Sequence, residues 1–153
     1  MFQNANLTVS VGSDAIDNSI FVRAVNGSIT MAASATTATQ GGNIVYRAPQ
    51  NISLGQLSAV GGVNTGDVSV TAGLNLLDSH NDLVTNDPLT GLAVPIGDPR
   101  VVNIAGNQIR LEATLGSIGI ATNPLDIAGV NLAAVANGNV YLYESNALAI
   151  TTV

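Results

Sequence analysis

The only histidine, His80, lies in the run Asp78-Ser79-His80-Asn81-Asp82, with Asn86 and Asp87 shortly after it. Carboxylate and amide oxygens at this density are what a hard cation takes as ligands, so Asp78, Asp82 and Asp87 are the candidate Ca²⁺ residues. The run lacks the Asp-x-Asp-x-Asp-Gly order and the closing Glu of a helix–loop–helix calcium site. Asp and Asn also make turns by bonding to their own backbone, and an exposed turn is the plainer reading. Beyond Ca²⁺, nothing in the chain calls for a cofactor. Arg110 and Glu112 stand two apart and so share one face of a strand. A glycosidase needs two opposed carboxylates, and a surface ion pair is the simpler expectation for this couple. Tyr141 and Tyr143 are also two apart and are expected on one outward face, as an aromatic platform for a sugar or a contact between fibres. No Ser/His/Asp grouping stands out, and no Gly loop leads into a helix to cradle phosphate. The chain is read as having no catalytic residue.

What must position these residues is a strand pattern. In Gly66-Asp67-Val68-Ser69-Val70-Thr71-Ala72, Val68, Val70 and Ala72 point one way and Ser69 and Thr71 the other. The phrase recurs at Gly27–Ala33, Gly42–Ala48, Asn107–Ala113 and Gly138–Glu144. Four of the five inward sets read β-branched, then large, then Ala; the last places Glu144 at the small position. Gly and Asn between the phrases are expected to turn the chain at positive φ. No window keeps a helical apolar period with caps. Between residues 78 and 100 the texture changes to turn residues, and Pro95 and Pro99 exclude a central strand there. An offset of 96 residues lays Gly42-Asn43-Ile44 over Gly138-Asn139-Val140 and Ile52 over Leu148.

Composition narrows the class. Nearly half of the 153 residues are hydrophobic but only 3% are aromatic, so the core must be Val, Ile, Leu and Ala. The basic residues are four Arg against ten acids, a net charge of −6. Such a balance excludes phosphate-neutralising nucleic-acid binding and attraction to an anionic membrane surface. No run nears the roughly 18 apolar residues of a membrane helix, and no basic-then-apolar leader opens the chain. Without Cys there is neither a disulfide nor a thiolate site.

Five phrases of like polarity with no helix between them imply an all-β fold, a right-handed parallel β-helix (β-solenoid) with coils of about 20–30 residues. An antiparallel β-sandwich with Greek-key turns is the alternative. Residues 1–153 are read as one solenoid segment of a larger repeat protein, with an irregular excursion at 78–100. The run Gly116-Ser117-Ile118-Gly119, then Asn123-Pro124-Leu125-Asp126-Ile127, Leu132-Ala133-Ala134 and Gly138–Glu144, resembles the repeat of giant bacterial surface proteins similar to filamentous haemagglutinin. The likeness covers residues 40–77 and 101–153. It implies secretion to the bacterial cell surface and a structural role as fibre, stalk or adhesin. Adjacent repeats or identical copies, stacked end to end or laterally, and possibly host or matrix glycans are the partners it implies. A carbohydrate-binding or carbohydrate-active β-helix is the second functional expectation. In that case the site is the 78–100 excursion or the Tyr141/Tyr143 face. The signatures of β-helical pectinases, Asn-Thr-Asp, Gly-His-Gly and Arg-Ile-Lys, do not occur.

Overall fold

The structure is a computed structural model; it describes residues 7–11, 18–80, 84–86, 93–95 and 101–151, with side chains for 18–80 and 101–151. The described residues contain no helix. Their strands are β1 (Leu7–Val11), β2 (Ile20–Ala24), β3 (Ile29–Thr30), β4 (Thr36–Ala38), β5 (Ile44–Ala48), β6 (Ile52–Leu54), β7 (Gln56–Ser58) and β8 (Val68–Ala72). There follow β9 (Leu76–Asp78), β10 (Val84–Asn86), β11 (Ala93–Pro95), β12 (Ile104–Ala113), β13 (Leu125–Ala136), β14 (Leu142–Glu144) and β15 (Ala149–Ile150).

Most of these strands pair in parallel, in three columns. In the first, Ile20, Ile44, Val68, Ile109, Leu132 and Ile150 lie in register through β2, β5, β8, β12, β13 and β15. The second runs through Ile29, Ile52, Leu76, Ile118 and Val140. In the third, Leu57, Ile104, Ile127 and Glu144 are in register, because the long strands β12 and β13 each pair in two columns. Antiparallel pairing among the named strands is confined to β1–β2 and β10–β11. The fold is therefore all-β with parallel sheets, and the hairpin succession of a Greek-key sandwich does not organise it. β10 and β11 make a separate two-stranded sheet within the 78–100 excursion, with Pro95 at a strand end.

The alternation read from the sequence holds in three of the five phrases; Ala33 and Val140, expected inward in the other two, are exposed. Ile44, Tyr46 and Ala48, then Val68, Val70 and Ala72, then Ile109, Leu111 and Ala113 are buried, and all join one core cluster with Ile29, Ile52, Leu76 and Ile118. The Ala row directly precedes the turn at Pro49 and Gly73. Tyr46 fills its position in the large row and turns its hydroxyl to Thr37 Oγ1 at 2.7 Å. Burial pushes that phenol above its ordinary 10.0.

Three expectations are corrected. The phrases at 27–33 and 138–144 do not stack on the other three: Ile29 pairs with Ile52, and Val140 bridges to Ile118. The first column instead begins at Ile20 and continues at Leu132-Ala133-Ala134-Val135-Ala136. The 96-residue offset fails with them, since Ile44 and Val140 belong to different columns. Register partners are 20–24 residues apart early in the chain, 41–47 across the excursion, and 17 or 18 at the last row. No constant offset survives that sequence of intervals. Finally, Asn does not supply positive φ: among the described residues only Gly27, Gly41 and Gly119 have it.

Asn instead bonds from row to row. Asn43 Oδ1 accepts the Asp67 backbone N–H at 2.8 Å, and Asp67 Oδ1 accepts that of Gln108 at 3.1 Å. At the next turn, Ser28 Oγ accepts from Asn51 N, Asn51 Oδ1 from Asn75 N, Asn75 Oδ1 from Ser117 N, and Ser117 Oγ from Asn139 N, at 2.9–3.2 Å. Each side-chain oxygen satisfies an amide that the turning backbone of the row beside it leaves without a carbonyl. Asn75→Ala removes the acceptor for Ser117 and the amide donated to Asn51. Chemical denaturation should show a loss of about 1–3 kcal/mol.

Glycine is required where turns of successive rows touch. A Cβ at Gly73 would overlap the Pro49 carbonyl oxygen, whereas one at Gly62 would meet nothing within 4 Å. Gly73→Ala should therefore destabilise by about 2 kcal/mol or more, and Gly62→Ala by little, in thermal unfolding of the two variants side by side.

Candidate functional site

The most unusual polar cluster forms where the excursion leaves the sheet. Asp78 ends β9, in register with the buried Leu54. Alternation from Leu76 therefore carries its side chain inward, where the neighbouring rows hold Leu54 and Met31. The exposed-turn expectation is corrected: the Asp78 side chain is 0% exposed and that of His80 12%. Asp78 Oδ1 accepts from the His80 backbone N–H (2.8 Å), His80 Nδ1 (3.0 Å) and Asn103 Nδ2 (2.5 Å).

Asn103, fully buried before β12, binds the cluster to the sheet. Its amide nitrogen also donates to the Gly55 carbonyl at 3.1 Å, and its oxygen accepts the Asp126 N–H at 2.8 Å. Asn123 Nδ2 donates to the His80 carbonyl at 2.7 Å. The ionised carboxylate only accepts, so the ring nitrogen that faces it, Nδ1, is the donor. Asn103 Nδ2, 3.2 Å from Nδ1, then serves the carboxylate and the backbone rather than the ring.

Such an Asp–His pair can orient a base or a metal ligand. Among the described residues no hydroxyl bonds the ring. No group of three or more His, Cys, Asp or Glu among them is arranged to hold a metal. Asp78 is the one Ca²⁺ candidate inside the described residues; Asp82 and Asp87 lie outside them. Asp78 Oδ2 and Asn123 Oδ1 are buried without a partner.

No family model, curated protein or solved structure matches this chain. Arg110 and Glu112 share a face, Nη2 to Oε2 at 3.0 Å, and both are partly exposed. A pair of that kind contributes little to stability and holds no second carboxylate. Tyr143 lies in β14, opposite Asp126, and is 41% exposed. Tyr141 is half-buried in the turn before β14, where its carbonyl accepts the Leu125 N–H at 3.1 Å. The two rings are thus not equivalent neighbours on one strand. Glu144 falls in register with the buried Ile127, and its Oε2 is buried without a partner.

The sequence reading missed Asn103 and Asn123. A signal for Asn103 existed: Asn43-Ile44, Asn51-Ile52, Asn75-Leu76 and Asn103-Ile104 all place Asn directly before a buried aliphatic residue.

Burial pushes the Asp78 carboxyl above its ordinary 3.8, and the bonds from His80 and Asn103 offset this only in part. A raised carboxyl favours the protonated form in the fold, so ionising Asp78 costs stability as the pH rises through the folded value. Asp78→Asn removes the charge and keeps an acceptor for all three donors. It should melt higher than the wild type at pH 7, with the gap narrowing as the pH falls toward 3.8. Paired melting curves across pH check this; a gap that widens toward acid would reverse the sign.

Proposed function

We propose that the chain is a right-handed parallel β-solenoid module of a secreted bacterial surface protein, serving as fibre, stalk or adhesin repeat and performing no catalysis. The observation that carries this reading is the register of the first column, in which Ile20, Ile44 and Val68 recur every 24 residues with parallel pairing and no intervening helix. Parallel strands joined without helices must return by strands and turns of their own, and the second and third columns are such returns. Right-handedness follows the general preference of parallel crossovers. The stacked Ser/Asn/Asp oxygens support the same reading, because they bond each row to its neighbours.

The surface-protein part of the proposal rests on the resemblance of residues 116–144 to the repeats of filamentous-haemagglutinin-like proteins. Ile150 adds a physical reason for association. It occupies a first-column position buried in lower rows, yet it is 82% exposed. A further row of the same kind, from an adjacent repeat or an identical copy, would cover it.

Electron microscopy and fibre diffraction of the native material test the proposal. Rods of constant width with an axial spacing of about 4.8 Å are expected. Compact particles without that reflection would overturn it.

A further inference from the structure

We propose that the outward face of β2, β5 and β8 binds a carboxylate-bearing sugar, a uronic-acid saccharide, through Arg23 and Arg47. These arginines are register partners on adjacent parallel strands, so their backbones are about 4.8 Å apart. Both are exposed, and neither bonds an acid among the described residues. Like charges directly opposite each other destabilise a sheet. Yet a chain with four arginines and a net charge of −6 places two of them here. The other described arginine, Arg110, is neutralised on its own strand by Glu112. An uncompensated pair on an acidic protein is a feature that an anion resolves.

The surroundings narrow the anion. A groove of about 310 Å³ is lined by Phe21, Arg23, Val25, Arg47, Pro49 and Thr71. Two guanidinium forks suit a carboxylate, which they can hold bidentately. Phe21 and Pro49 offer apolar surface to the C–H face of a sugar ring, and the Thr71 hydroxyl can meet its hydroxyl groups. A peptide adding itself as a strand is excluded by position, because β2 is paired on both sides by β1 and β5, and β5 by β2 and β8. Binding must use side chains across the strands. Nucleic acid is disfavoured because two arginines neutralise few phosphates and the rest of the chain repels them. A short saccharide with one carboxylate per ring brings no more charge than the two arginines can meet. This binding reading does not require fibres: it is read on single chains in solution, and rods or their absence leave it untouched.

The test is calorimetric titration of the full chain with a galacturonate oligomer, alongside a neutral oligosaccharide and oligoglutamate of equal length. The galacturonate oligomer should bind, more weakly as salt rises, and the other two should not. R23Q and R47Q should each weaken binding about tenfold or more, while R110Q leaves it unchanged. Amide chemical-shift changes in the wild type should centre on residues 21–25, 45–49 and 69–71. The proposal is overturned by no binding of galacturonate, by equal binding of the neutral sugar or of oligoglutamate, or by shifts that centre elsewhere. Equal affinity in R23Q and R47Q would also sink it. Both substitutions relieve like-charge repulsion at exposed positions, so folding is retained, and melting curves no lower than the wild type's verify this.

Discussion

A parallel sheet whose strands are joined without helices has to turn its chain between strands while every backbone amide keeps an acceptor. In this protein the acceptors at the turns come from the side chains of Ser19, Ser28, Asn43, Asn51, Asp67, Asn75 and Ser117. Each is short and polar, and each receives the N–H of the row beside it. The apolar interior depends on that arrangement. Ile44 sits over Val68, and Ile52 over Leu76, only because the residues just before them are locked at one row's distance. Hydrophobic burial supplies most of the driving force, but it is indifferent to register; the polar turns are not.

Much of this was legible in the sequence. The period of two predicted the buried faces of β5, β8 and β12, and the absence of helical periodicity predicted strands throughout the described residues. What could not be read was the column to which each phrase belongs. Ile29-Thr30-Met31 and Val68-Ser69-Val70 look alike because the interior asks the same of every column, an aliphatic residue at alternate positions. Column identity lies in the intervals, and these vary between 17 and 47 residues. Asp78 was misread for a related reason. As a residue type it signals a turn, whereas its place two residues after Leu76 makes it an inward strand position. When residue type and periodicity disagree, the neighbours that satisfy the buried group decide, and Asn103 is 25 residues away in the chain.

The same separation explains why the candidate site was only half visible. His80 and Asp78 are two residues apart in sequence and were noticed together. Asn103 and Asn123 arrive on later rows, and their recruitment follows from the stacking rather than from any local motif. The Arg23/Arg47 pair was hidden in the same way. The two residues are unremarkable in a linear reading and become neighbours only when β2 and β5 are laid side by side.

The interval between Asp67 and Gln108 has a consequence for how such a chain can change. Seventeen or so residues beyond the usual spacing are accommodated between two rows, yet Val68 and Ile109 remain partners as if nothing had been added. The row-to-row bonds at the turns isolate the stacked strands from whatever is spliced between them. Closing a longer loop adds only a slowly rising entropic cost. The junction after β9 is thus a natural graft point, where one lineage can carry a hairpin, another a binding loop and a third nothing, on an unchanged scaffold. Novelty can accumulate at the margin of this architecture while its interior stays in step.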